Sequence, residues 1–190
     1  MIRIIQNFFF GTIAFLAVMV IVSFFWPTKY TVEESIHINA NIETVFQQVN
    51  DLNRWQHWSF FAQDGNWSPS FGKWTSGKDA AMRWESQRLG KGDLTILESI
   101  PNKEVHVFFE LEQVNKSGNA SYFFTEKNDG TVVTHRLELP VPLTITDKFE
   151  NMSKYFFQDD EKKEEKNLQL GYNLNHLKGV SEKVYKGILN

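Results

Sequence analysis

The side chains best suited to chemistry in this sequence are its five histidines, at positions 37, 57, 106, 135 and 176. None stands in the H-x-x-x-H or H-E-x-x-H spacing that sets two imidazoles one helical turn apart for a metal. There is no cysteine, which excludes disulfides, thiolate nucleophiles and Cys-type zinc or iron–sulfur sites. No G-x-S-x-G elbow, phosphate loop or dinucleotide fingerprint occurs. Asp51 and Glu85 make a carboxylate pair in name only, because nothing local brings them together. The expectation is therefore no metal and no cofactor. His135 is the position of most interest. It lies in a stretch where Thr131, Val133, His135, Leu137 and Leu139 share one strand face, with Val132, Thr134, Arg136 and Glu138 on the other. Imidazole there can donate, accept, or act as a base near neutral pH. A lone histidine on an apolar strand face is still more often a hydrogen-bonded core residue than a ligand contact.

The surrounding elements follow from periodicity. Residues 31–38 alternate as a strand, with Val32, Ile36 and Ile38 on one face. Asn41 is placed to cap a helix carrying Ile42, Val45, Phe46 and Val49. A second short helix over Asn53–Trp58 sets Trp55 and Trp58 on one side. Residues 59–78, with Trp67, Phe71 and Trp74, read as a long aromatic loop. Strands follow at 80–88, with Met82 and Trp84 on one face, and at 93–100, the two joined by a turn at Gly90-Lys91-Gly92. Further strands cover 103–112 (Val105, Val107, Phe109, Leu111 inward), 119–126 (Ala120, Tyr122, Phe124 inward) and 131–139. Asn128-Asp129-Gly130 supplies a hairpin turn, and Pro140 and Pro142 end the last strand. The tail reads as a helix from Thr144 or Lys148 to Tyr185, with Phe149, Met152, Phe156, Leu170, Leu174 and Leu177 apolar. Its charged run, Asp159 to Lys166, reads as a solvated face. Strand, two helices, five strands and a long helix make an α+β fold with the helix packed on an antiparallel sheet.

The remaining apolar weight sits at the N-terminus. Residues 8–26 carry no charge and no proline, and at about 1.5 Å per residue they reach across a bilayer core that needs about 20 residues. A cleaved signal peptide would need a shorter apolar core and small residues at its cleavage site, but this segment ends Ser23-Phe24-Phe25-Trp26-Pro27. An uncleaved anchor over residues 1–29 is expected, with Trp26 and Tyr30 at the far interface and Pro27 stopping the helix. Arg3 is the only charge in residues 1–26, so the rest of the chain carries 19 basic and 23 acidic groups. Arg3 and the α-amino group favour a cytoplasmic N-terminus, with residues 30–190 on the periplasmic or extracellular side. The mild acidity excludes a dedicated nucleic-acid binder, and the 15% aromatic content excludes intrinsic disorder.

Six short stretches, in order, resemble the START-like (SRPBCC) superfamily, most closely its polyketide cyclase/dehydratase-type branch. They are Ser35 to Phe46 with Asn50-Asp51-Leu52 and Trp55-x-x-Trp58; Met82-Arg83-Trp84; Gly90-Lys91-Gly92; Ile100 to Val105; Asp129 to Thr134; and Gly171 to Lys178. The resemblance covers residues 30–185. It implies a helix-grip fold, a curved antiparallel sheet around a long C-terminal helix, enclosing a pocket for a lipid, sterol, polyketide or other apolar molecule. It departs from the pattern at His135, where an aromatic residue, commonly Trp, is usual, and after Trp58, where a proline-containing continuation is usual.

Together the strand phases and the resemblance place a pocket among Trp55, Trp58, Met82, Trp84, Phe109, Tyr122, Phe124, Val133, His135 and Leu137. The same residues would equally serve as plain core. Three functions follow. The first is a membrane-anchored domain that binds a hydrophobic small molecule or lipid. The second is a cyclase/dehydratase-type enzyme using His135 with Tyr122. The third is a non-catalytic envelope sensor or interaction module. A binding role is favoured over catalysis.

Overall fold

The computed structural model describes residues 2–25, 29–63, 66–86, 90–140 and 161–189. Contacts divide the chain into two units, Met1–Tyr30 with Pro140–Asp159 and Thr31–Leu139 with Asp160–Asn190.

In the first unit, Ile2–Phe24 form a helix, α1. Its stretch Arg3–Val22 is long and apolar enough to cross a membrane, and none of it is buried. Ile4, Phe8, Phe10 and Phe15 are each more than 60% exposed, so the helix is apolar on all sides rather than along one stripe. Thr12, the polar exception at mid-helix, returns its hydroxyl to the Phe8 carbonyl at 2.9 Å. Trp26, expected at the far interface, and Pro27, expected to stop the helix, lie outside the described residues, while Tyr30, the other expected interface residue, falls in the strand Lys29–Ile38.

The second unit is a seven-stranded antiparallel sheet with helices on one face. The strands are β1 (Lys29–Ile38), β2 (Ser68–Phe71), β3 (Ala81–Ser86), β4 (Gly90–Ile100), β5 (Glu104–Leu111), β6 (Lys116–Lys127) and β7 (Gly130–Pro140). They run β1-β7-β6-β5-β4-β3-β2 across the sheet, so β2 to β7 form a meander and β1 closes the far side beside β7. Helix α2 is Ile42–Asn50 and helix α3 is Glu161–Tyr185. The two pack on each other, and Leu174, Leu177 and Ser181 form the fully buried stripe among the described side chains of α3. Two further bonds tie the elements: Asn39 N–H donates to Glu182 at 3.0 Å, and Phe60 N–H donates to Asn173 at 2.7 Å.

The polar termini of α2 explain two of the tryptophans. Asn41 caps the N-terminus, its side chain accepting from Thr44 N–H at 2.8 Å. At the other end the last four carbonyls all find donors. Gln47 takes Asp51 N–H at 3.2 Å and Asn50 takes Gly77 N–H at 3.1 Å. Gln48 takes the Trp58 indole N–H at 3.0 Å, and Val49 takes that of Trp55 at 2.9 Å. The Trp55-x-x-Trp58 spacing thus serves a helix terminus, and the short helix expected there is a 3-10 helix over Leu52–His57 with Trp58 at its C-cap.

Two expectations are corrected. The stretch 59–78 is not all loop: a 3-10 turn covers Phe60–Gln63, and Ser68–Phe71 form the edge strand β2, making seven strands instead of six. A four-residue strand containing Pro69 shows no period, and its missing N–H is tolerated because β2 has a neighbour on one side only. Gly90-Lys91-Gly92 is not a turn but the start of β4. Gly92 faces Trp84 across the β3–β4 pair, and a Cβ there would collide with the indole and sit 2.8 Å from the Glu110 carbonyl. The glycine is needed for close packing, not for chain reversal. Gln87, Pro142, the start of the tail helix at Thr144 or Lys148, Phe149, Met152 and Phe156 lie outside the described residues, as does the Leu170 side chain.

Candidate functional site

The sheet's inner face is a grid set by strand register. Tyr122 stands opposite His135, Ala120 opposite Leu137, and Phe124 opposite Val133. On the other side of β6, Val105 faces Tyr122 and Val107 faces Ala120. Leu94 faces Phe109, and Met82 faces Leu94. The ten residues singled out from the sequence therefore converge. Trp55, Trp58, Met82, Trp84, Phe109, Tyr122, Phe124 and Val133 all join one buried cluster, Leu137 packs against it half-buried, and His135 is 4% exposed. Leu111, Leu137 and Leu139 pack against this cluster and are only partly buried, as are Ile36, Ile42, Trp67 and Val180.

His135 sits where these layers meet. Its ring lies flat on that of Tyr122, with centroids 4.3 Å apart and planes 7° from parallel. Trp55 and Trp58 meet the same tyrosine edge-on, each at 6.0 Å, and each other at 4.7 Å. The indoles are held by the α2 carbonyls, so the tyrosine and through it the imidazole have little freedom. Burial lowers the His135 pKa to about 4, leaving the ring neutral at physiological pH, and raises that of the Tyr122 phenol, keeping it protonated. Among the described residues neither ring nitrogen of His135 has a hydrogen-bond partner. A neutral imidazole carries one donor and one acceptor, and leaving both bare at this depth is costly. Gln48 Nε2, Ser59 Oγ and Ser181 Oγ are likewise buried without a partner among the described residues, but His135 alone leaves both a donor and an acceptor unmet within one ring.

The other histidines have surroundings of their own. His37 pairs with Asp129 at 3.1 Å and His176 packs on the Tyr172 ring at 4.1 Å. Asp51 caps the 3-10 helix by accepting from Asn53 N–H, while Glu85 pairs with Lys91 at 3.7 Å, so the two carboxylates serve separate local roles. Among the described residues no group of three His, Asp or Glu is placed to hold a metal. Sequence reasoning missed the outer face, where a depression of about 590 Å³ is lined by His106, Ser121, Asn119, Lys78, Leu97 and others. Alternation along 103–112 put His106 outward, but only the β5–β6 register brings Ser121 opposite it.

No protein-family model matches the chain, and no curated protein matches it. Solved structures do match. A protein of unknown function from Staphylococcus aureus superposes with a TM-score of 0.57 at 12% identity, covering 81% of this chain and 96% of the other. The di-domain ARO/CYC StfQ of the steffimycin biosynthetic pathway gives 0.56 at 9% identity over 82% of this chain. DynU16, a protein of the dynemicin biosynthetic locus, gives 0.52 at 14% identity over 83%. The chain spans about half the length of the last two, 51% and 48%. At such identities the likeness concerns fold. The class so defined is an α+β fold, an antiparallel sheet with a C-terminal helix, shared with StfQ, DynU16 and the Staphylococcus aureus protein.

Proposed function

We propose that this chain binds a small, mainly apolar molecule on the inner face of its sheet, with His135 supplying the polar contact, and that α1 holds it to a bilayer. The observation that carries the reading is the His135 imidazole, buried and neutral, with both nitrogens unpartnered among the described residues. A ligand carrying one acceptor or one donor satisfies one of them, and the partly buried Leu111, Leu137 and Leu139 offer its apolar body a contact surface. The fold likeness to StfQ adds support, since that protein is an ARO/CYC. For α1, the support is its length, its apolar composition and the absence of burial. Arg3 before the span orients the N-terminus to the cytoplasm and the domain to the outer side.

The test is retention of ligand by the full chain. Wild type and His135→Phe, purified in parallel in the same amphipol, are extracted and compared by mass spectrometry. An apolar molecule near one per chain in wild type and depleted in His135→Phe supports the reading. Identical extracts overturn it.

A second reading, a cyclase-type enzyme, rests on one pairing, the His135 imidazole stacked on the Tyr122 phenol, and must work against burial, which weakens the first as a base and the second as an acid. Turnover of a poly-β-keto thioester surrogate that survives His135→Phe unchanged contradicts it.

A further inference from the structure

We propose that the outer face of the sheet carries a second site, built to hydrolyse small uncharged carboxylic esters with Ser121 as nucleophile. Register sets His106 of β5 directly opposite Ser121 of β6. The Ser121 hydroxyl lies 2.8 Å from His106 Nδ1, and Glu104 Oε2 lies 3.4 Å from His106 Nε2. Nucleophile, base and carboxylate are thus in line, with the imidazole between the other two, which is the arrangement that activates a serine. The His106 and Glu104 side chains are less than a third exposed, and the imidazole is braced edge-on by Phe123 at 5.7 Å. His106 and Ser121 both open into the depression of about 590 Å³, within the size range of small-molecule sites.

Its lining sets the substrate class. Leu97, 49% exposed, gives an apolar wall for a short acyl or alkyl group. Glu98 on the same lining disfavours carboxylate-bearing substrates, while Lys78 and the Asn119 amide, also on the lining, are the groups able to donate to a developing oxyanion. In the first half-reaction Ser121 Oγ attacks the ester carbonyl carbon as its proton passes to His106. Collapse breaks the bond to the alkoxy oxygen, which leaves as the alcohol with the proton from His106. Water then adds to the acyl-serine, again giving its proton to His106, and the acid departs as Ser121 recovers its hydrogen. One ester and one water become one acid and one alcohol. Glu104 is a positioning residue, steadying the imidazolium that forms in each half.

The full chain is treated with a fluorophosphonate probe and its peptides mapped, and hydrolysis of p-nitrophenyl butyrate is followed in parallel. The expected adduct falls on Ser121 in folded protein and disappears in urea. Ser121→Ala abolishes the adduct and returns hydrolysis to the buffer rate. His106→Gln lowers hydrolysis about a hundredfold. Glu104→Gln lowers kcat and leaves KM unchanged. No adduct on Ser121, equal labelling in urea, or hydrolysis that persists in Ser121→Ala overturns the proposal.

Discussion

The imidazole of His135 lies parallel to the phenol ring of Tyr122, 4.3 Å away and 7° from coplanar in orientation. Stacking fixes where the two ring nitrogens are without satisfying either of them. The aromatic contacts that immobilise the histidine are apolar, so they lower its basicity by excluding water while offering no hydrogen bond in return. A core selected for stability alone would place a phenylalanine or leucine at this position.

That arrangement makes stability depend on pH through one residue. The folded His135 titrates at about 4, against 6.5 when unfolded. Protons therefore bind the unfolded chain first, and wild type loses stability as pH falls from 6.5 toward 4, by roughly 3 kcal/mol at the bottom of that window. His135→Phe lacks this component. Urea unfolding of both chains across pH 7.5 to 4 should show the Phe variant gaining on wild type as pH drops. A constant difference contradicts the assignment.

The indole bonds to α2 give a second expectation. Trp55→Phe and Trp58→Phe each keep most of the aromatic volume but leave a buried carbonyl, of Val49 or Gln48, without its donor. Each should destabilise by about 1–3 kcal/mol in urea titrations. A loss below about 0.5 kcal/mol in both would mean that these bonds do not hold the helix end.

Much of this was legible from sequence, and the failures have physical reasons. Alternation in 103–112 and 131–139 revealed the inner faces, because each strand there has one face against the core. The Asn41 cap was legible because capping is local in the chain. Strand β2 was not, since four residues with Pro69 show no period and its pairing to β3 depends on tertiary contact. Gly92 was misread because glycine serves turns and close packing alike, and only the partner Trp84 tells which. The face of His135 could be read, but its unmet nitrogens depend on neighbours from other elements. The Ser121–His106 pair needed a register that the irregular connection through Glu112–Val114 and the left-handed Asn115 leaves unstated.

Gly92 and Trp84 should be coupled. Gly92→Ala puts a methyl into the indole and is expected to cost about 1–3 kcal/mol by overpacking. In Trp84→Leu the obstruction is gone, so the same alanine should cost less there. A double-mutant cycle that comes out additive contradicts the contact.

For α1, an arginine at the middle of the span is diagnostic. Ile13→Arg places a charge where insertion is penalised by about 2.5–3.5 kcal/mol, so alkaline carbonate should release more of the variant than of wild type. Complete release of the wild-type chain by the same wash contradicts a spanning helix.

The central claim concerns the two nitrogens of His135, and ¹⁵N NMR of the imidazole-labelled full chain observes them directly. As purified, one His135 nitrogen should show a hydrogen-bonded shift that moves when bound apolar material is extracted and returns when it is restored, while the ring stays neutral at pH 7. Identical His135 spectra before and after extraction would show that nothing but the protein ever touches that ring.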